Sequence, residues 1–134
     1  MSNYQLQEVK YEGYLAEDPI MRFLPSGTAV INFRIGSTRT RKTPTGESFD
    51  ETTWMKVSVF GNYAETLNTL LGKGSWVIVT GRLRVNEFGG PQTYQLKNGE
   101  WASSFEMIAN DVRVLRGKPR DNKRQQQSGG GLPY

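Results

Sequence analysis

The sequence contains no cysteine and no histidine. Without cysteine there is no disulfide framework and no zinc–thiolate site, and without histidine the commonest general base and metal ligand is missing. No run of about 18 apolar residues occurs, so no membrane-spanning helix is expected. The N-terminus MSNYQLQEVKYEGYL lacks the basic start and apolar stretch of a secretory signal. We therefore expect a cytoplasmic binding module and not a metalloenzyme.

The net charge of +4 lies in the C-terminal segment. Residues 1–115 contain 12 basic and 12 acidic residues, whereas residues 116–134 contain five basic residues and one acid, Asp121. Binding of nucleic acid by the neutral body would depend on a local patch and on stacking. The segment 116–134 is charged, then glutamine-rich, then glycine-rich, and has little to bury. We predict one domain over 1–115 and a disordered tail over 116–134.

Alternation of apolar and polar residues predicts a mostly β chain. The expected strands are Gln5–Leu15, Ala29–Thr38, Thr52–Phe60, Trp76–Val85 and Trp101–Leu115, the last with a break at Asn110-Asp111. Pro44-Thr45-Gly46 is typical of a hairpin tip, and Val85–Glu100 is either a loop or a projecting hairpin.

A single helix is predicted between the third and fourth strong strands, with Asn62 as its cap. Asn62 and Glu65 have the spacing of a capping box, and Gly72 favours a C-terminal stop. The expected apolar side consists of Leu67, Leu70 and Leu71.

Five strands with one helix between the third and fourth are the plan of the OB-fold, an all-β barrel that binds oligonucleotides on one face. A generic small β-sandwich is the alternative.

The third strand predicts a chemically unusual outer surface. Its odd positions, Met55, Val57 and Val59, are assigned to the core, and its even positions, Trp54, Lys56, Ser58 and Phe60, to the outside. In the next strand Val77, Val79, Leu83 and Val85 are expected to point inward, and Ile78, Thr80, Arg82 and Arg84 outward. Rings stack on unpaired bases and cations meet phosphates, so this pattern favours single-stranded nucleic acid. Alternatively, Trp54 and Phe60 pack under a loop or at a subunit contact.

Three further features lie near this surface. Arg34, Arg39, Arg41 and Lys42 occur with no acid before Glu47, which predicts a basic hairpin arm along a phosphate backbone or else an ordinary solvated loop. Phe88, in a polar loop, is either a mobile stacking platform or a packing contact. Trp76 is expected at the core rim or at an interface.

No catalytic constellation emerges. Adjacent acids such as Glu17-Asp18 and Asp50-Glu51 point to opposite sides of an extended chain. Gly72-Lys73-Gly74-Ser75 lacks the P-loop spacing. We predict no enzyme activity, no metal site and no cofactor.

The order of several short segments resembles the bacterial single-stranded DNA-binding protein family. They are Gly13-Tyr14-Leu15, Glu17-Asp18-Pro19, Arg22-Phe23, Pro25–Val30, Asn32-Phe33, Thr53-Trp54, Val59-Phe60-Gly61, Ala64-Glu65, Lys73-Gly74-Ser75 and Val79–Arg84. The resemblance covers roughly Val9 to Leu115. It implies an OB-fold that forms a homotetramer built from dimers, and it maps the family's stacking aromatics onto Trp54, Phe60 and Phe88. The phosphate contacts are assigned to the cations named above, Arg34, Arg39, Arg41, Lys42, Lys56, Arg82 and Arg84. Together these features predict sequence-tolerant binding of single-stranded DNA in replication, recombination and repair, with the protein associated with the nucleoid.

The chain departs from the family at three places. Family members often carry a histidine after the T-x-W segment, near the subunit interface, where this chain has Met55, so the details of the assembly are not implied. Arg39-Thr40-Arg41-Lys42 offers no ring where the family has an arm aromatic, so contacts should shift toward phosphates. Leu132-Pro133-Tyr134 keeps the shape of the family's partner-binding tip, but the tail is basic where the family's is acidic. Recruitment of replication and repair proteins is therefore the weakest implication. The competing function is an OB-type protein-interaction module, such as a primosome-like accessory, and RNA remains an alternative ligand.

Overall fold

The computed structural model describes residues 4–118, which form seven strands and one helix. The strands are β1 (Val9–Leu15), β2 (Ile20–Phe23), β3 (Ala29–Lys42), β4 (Ser48–Phe60), β5 (Trp76–Leu83), β6 (Gln92–Gln95) and β7 (Trp101–Arg116), and the helix is α1 (Asn62–Leu70). Within these residues no helix is long and apolar enough to cross a membrane.

Five of the strands close into a barrel. The hydrogen-bonded order is β1-β5-β7-β4-β3, and β3 returns to β1 through the pairs Tyr14–Gly36 and Leu15–Ile35. The β4–β7 pairing is parallel and the others are antiparallel. A Cβ at Gly13 would collide with the carbonyl oxygen of Gly36, so glycine permits the approach at which the barrel closes. With α1 between β4 and β5, this is the predicted OB-fold.

The barrel interior follows the predicted alternation along most of β4 and β5. Met55, Val57 and Val59 are buried, as are Val77 and Val79, and all five belong to one apolar cluster. Leu83 and Val85 were expected to point into this core, but both are exposed. Gly81 is the last buried position of β5. Leu83 and Val85 come after it, where the strand has extended past the end of the core, so the inward-facing side of the strand is exposed there.

Helix α1 ends before Gly72, as predicted, but it begins differently from the prediction. Gly61, with φ of 88°, is the N-cap, no side chain caps the helix, and Asn62 is already helical. The prediction of a capping box formed by Asn62 and Glu65 is therefore wrong. A positive φ favours glycine, which explains why the cap falls one residue earlier. Leu67 and Leu71 close one side of the core, whereas Leu70 is exposed.

The two irregular regions of the prediction take definite forms. The break near Asn110 is a β-bulge, because Thr80 pairs with Asp111 and Gly81 with Ala109, leaving Asn110 without an opposite residue. The segment 85–100 contains strand β6, which forms a hairpin with the start of β7. The turn at Thr43–Glu47 closes the β3–β4 hairpin, as expected.

The proposed tail falls almost entirely outside the described residues. The structure describes only residues 116–118 of this segment. Arg116 is the last residue of β7, and the backbone N–H of Lys118 donates a hydrogen bond to the carbonyl of Leu70 at 2.9 Å. The tip Leu132-Pro133-Tyr134 lies outside the described residues, so its role stays a prediction.

Candidate nucleic-acid interface

The even-numbered side chains of β3 from Asn32 onward and of β4 form one continuous outer face of the barrel. The two strands pair without a register shift from Val30–Phe60 to Lys42–Ser48. Side chains alternate along a strand, so an unbroken register keeps Trp54, Lys56, Ser58 and Phe60 on the same face. Trp54 is 38% exposed and Phe60 45% exposed. The predicted pairing of core positions with outward rings is therefore present in β4.

Trp54 is held by three neighbours on this outer face. Its ring lies over Gly36, where an added Cβ would come within 2.8 Å of Cζ3. The Arg34 guanidinium carbon lies 4.6 Å from the ring centre, and the Tyr14 ring meets it edge-on with centroids 6.2 Å apart. Sequence reasoning missed Gly36 and Tyr14, although a glycine within an alternating strand is a recognised sign of close approach.

Tyr14 connects Trp54 to Trp76. The Tyr14 and Trp76 rings stack with centroids 5.8 Å apart and planes inclined by 20°. The Trp76 indole N–H donates to a carboxylate oxygen of Glu12 at 2.7 Å. Trp76 is thus half-buried at the barrel surface, consistent with the expected position at the core rim.

A groove of about 630 Å³ runs along the outer face beside β2. Its lining includes Arg34, Lys56, Phe60 and Arg84, and also the acids Glu17, Asp18 and Glu106. Ser58 donates a hydrogen bond to the Asn32 side-chain oxygen at 2.7 Å on the groove floor. With Arg22, which also lines it, the groove combines the exposed Phe60 ring with four cations, three acids and neutral hydrogen-bonding groups.

Three of the groove cations already have partners in the free chain. Arg34 pairs with Glu17 at 3.3 Å and Arg84 with Glu106 at 2.9 Å. The Arg34–Glu17 pair is exposed on both sides, and exposed ion pairs contribute only about 0–1 kcal/mol, so a phosphate can compete for Arg34. The Glu106 side chain is only 18% exposed, so solvent screens its pair with Arg84 less. Lys56 lies 5.1 Å from the centre of the Tyr94 ring, which brings the β6–β7 hairpin against the outer face.

The predicted basic segment is divided between two faces. Arg34 and Lys42 have even positions in β3 and share the outer face, whereas Arg39 and Arg41 have odd positions and lie on the reverse face. Arg82 lies at an exposed, even position of β5, and Arg84 is exposed just after the end of that strand. Arg82 pairs with Ile108 of β7, which lines the groove. The four basic residues of the segment thus do not form a single patch.

Phe88 projects from a tight turn. Asn86 organises the turn, since its side-chain oxygen accepts hydrogen bonds from the backbone N–H groups of Phe88 at 2.8 Å and Gly90 at 3.0 Å. The Phe88 side chain is 87% exposed, so it is not a packing contact within the described chain. The exposure argues against the packing alternative, and the role of Phe88 as a stacking platform stays a prediction.

Among residues 4–118, no group of three or more acidic residues is placed to hold a metal ion.

A family model described as the single-strand binding protein family matches residues 6–115. The chain belongs to this family. It is 29% identical over 129 residues to a single-stranded DNA-binding protein of Neisseria meningitidis, and the alignment covers 96% of this chain and 67% of that protein. It is 41% identical over 102 residues to one of Corynebacterium glutamicum, covering 75% of this chain and 43% of that protein.

Solved structures of family members share the fold. A Plasmodium falciparum protein in complex with single-stranded DNA superposes with a TM-score of 0.67 at 20% identity, covering 86% of this chain and 99% of that one. A Thermus aquaticus single-stranded DNA-binding protein gives 0.64 at 28% identity, covering 86% and 53%. The resemblance in the sequence is therefore confirmed at the level of family and fold.

Proposed function

We propose that this chain binds single-stranded DNA with little sequence preference, through the outer face of β3 and β4. The observation that supports this most is the pair of exposed rings, Trp54 and Phe60, on either side of Lys56. Large exposed aromatics are unusual on the solvent face of a small barrel. Stacking on a base covers them and requires no particular base, because every base has a π-face.

Stacking supplies most of the affinity in this proposal. Each stacked base contributes roughly 1–3 kcal/mol. Arg34, Lys56 and Arg84 flank the rings and take the role of phosphate ligands, together with Lys42 and Arg82. Two of the groove cations exchange a carboxylate for a phosphate, so their net contribution is smaller than that of an unpaired cation. Phe88 provides a third ring on the exposed turn after β5.

A protein that binds single-stranded DNA without sequence preference can protect that DNA wherever the duplex is opened. We propose that the chain covers single-stranded DNA during replication, recombination and repair, without enzymatic activity, metal or cofactor, in the cytoplasm at the nucleoid. Its named relatives, which are single-stranded DNA-binding proteins, support this role. We also propose a homotetramer built from dimers, and recruitment of replication and repair proteins through Leu132-Pro133-Tyr134. These two proposals rest on the family resemblance alone.

Tryptophan fluorescence tests the proposed ligand. Titration of the chain with dT oligomers should quench the emission, and the affinity should fall as salt is raised. The Trp54→Phe variant should lose a large part of the quenching while still binding, which assigns the signal to that ring. Competition with RNA oligomers of matched sequence then determines the sugar preference. No quenching and no binding at low salt would exclude the proposal and favour the protein-interaction alternative.

A further inference from the structure

The β3–β4 arm, residues 37–53, is a two-stranded extension of the barrel. Strand β1 pairs with β3 only at Ile35 and Gly36, and β7 pairs with β4 only from Met55 onward. Beyond these pairs the two strands of the arm contact each other, and both of their faces are open to a ligand.

The outer face of the arm carries Lys42 next to the turn, but its other side chains are hydroxyl groups and one carboxylate, with no ring. Thr38 and Thr52 hydrogen-bond across the strands at 2.8 Å, and Thr40 donates to Asp50 at 2.8 Å. These partners satisfy each other, and the carboxylate of Asp50 would repel a phosphate. The outer face is therefore a poor continuation of the surface formed by Trp54 and Phe60.

The reverse face of the arm has the opposite character. Phe49 lies directly across from Arg41, and Arg39 lies across from Glu51. The Phe49 side chain is 45% exposed, and the Arg41 guanidinium carbon lies 5.8 Å from its ring centre. Arg41 pairs with Glu51 at 2.6 Å, and no salt bridge engages Arg39 within the part of the chain described.

We propose that Phe49 is a base-stacking residue and that the reverse face of the arm is a second contact surface for the single strand, with Arg39 and Arg41 as its phosphate ligands. An exposed phenyl ring on a two-stranded arm has no core to join, and its combination with two guanidinium groups is the chemistry that holds unpaired nucleotides. Glu51 is weakly held, because exposed ion pairs are weak, so a phosphate replaces it on Arg41.

This surface changes the route of the strand. The ring that is missing from Arg39–Lys42 is supplied by the partner strand, and it lies on the reverse face. A strand that contacts both Trp54 and Phe49 must cross an edge of the arm. Bound DNA therefore wraps around the arm, in addition to lying along the barrel. The inference rests on the proposed function, since it extends the same ligand to a second face.

The length of the oligonucleotide separates the two surfaces. Phe49→Ala should bind short dT oligomers, which fill only the outer face, as tightly as the unmodified chain does. It should bind long oligomers roughly 5- to 150-fold more weakly, which corresponds to the loss of one stacked base. Thr52→Ala, on the outer face of the arm, is the matched control and should leave both affinities unchanged.

A second variant reports the contact directly. Phe49→Trp places an indole on the reverse face, and long dT oligomers should quench more of the total emission than in the parent chain. Equal affinity of Phe49→Ala and the parent for all lengths, with no added quenching in Phe49→Trp, would overturn the inference. The Trp54→Ala variant distinguishes this from failure of the proposed function, because it weakens binding of short oligomers only if the outer face binds DNA.

Discussion

The guanidinium carbon of Arg34 lies 4.6 Å from the centre of the Trp54 ring, while the same guanidinium pairs with Glu17 at 3.3 Å. A base that stacks on this side of Trp54 must move Arg34 aside. The exposed cation–π contact that is lost contributes about 0.5–1 kcal/mol, less than the roughly 1–3 kcal/mol gained by stacking a base. The displaced guanidinium is then free to meet a phosphate.

Replacement of Arg34 by glutamine should therefore weaken binding mainly at low salt. The phosphate contact is lost, but Trp54 is uncovered, so the deficit should shrink as salt is raised. We expect the slope of log affinity against log salt to fall by about 0.7, the value for one contact to a single strand. Titrations at several salt concentrations measure the slope. Arg113→Gln, on another face of the barrel, is the control, and an unchanged slope in Arg34→Gln would show that Arg34 contacts no phosphate.

Substitution of Gly36 by alanine should disturb the site without destroying the fold. The new methyl group would come within 2.8 Å of Cζ3 of Trp54, so the ring must move from its position over β3. We expect weaker binding of dT oligomers and a changed Trp54 emission, with the circular dichroism of the barrel retained. Ser37→Ala, at the next position, should change neither property. An altered emission with normal affinity would indicate that the position of the ring does not matter for binding.

The turn at Phe88 allows stacking to be separated from turn geometry. Phe88→Ala removes the exposed ring and should weaken binding by roughly 1–3 kcal/mol if a base stacks there. Asn86→Ala removes the two hydrogen bonds that organise the turn but keeps the ring, and should cause a smaller loss. Affinity for dT oligomers is the measurement. A larger effect of Asn86→Ala than of Phe88→Ala would mean that the turn backbone, and not the ring, is what the DNA contacts.

A stability prediction concerns Tyr63, which lies away from the groove. Its hydroxyl donates to the carbonyl of Val112 and accepts from the N–H of the same residue, both at 2.8 Å. This ties α1 to β7 near the bulge. Tyr63→Phe should lower the free energy of unfolding by about 1–3 kcal/mol, because the Val112 groups lose their partner. Urea denaturation measures this, and the affinity of the folded variant for DNA should be unchanged.

The extent to which the sequence predicted the site depended on distance along the chain. Alternation in β4 assigned Met55 to the core and Trp54 to the surface, since both follow from one local period. The same period separates Arg39 and Arg41 from Arg34, whereas the prediction of a single basic patch relied on the closeness of these cations in sequence. Tyr14 could not be found this way, because its contact with Trp54 exists only once β1 closes the barrel against β3.

Other errors arose where a local pattern has two structural outcomes. Alternation gives the side of β5 on which Leu83 lies, but it does not indicate where the core beneath that side ends. Asn62 has the composition of a helix cap, yet the preceding glycine adopts the positive φ and takes that role. The roles of the stacking and phosphate residues remain proposals.

The central claim is that the outer face binds single-stranded DNA by stacking, and the double variant Trp54→Ala/Phe60→Ala tests it most directly. The control is Phe23→Ala, which removes an exposed ring of β2 that does not line the groove. Affinity for a dT oligomer should be measured at moderate salt, after circular dichroism shows that both variants are folded. The account predicts a loss of roughly 2–6 kcal/mol for the double variant, from two stacked bases, and little change for the control. A folded double variant that binds as tightly as the unmodified chain would contradict it.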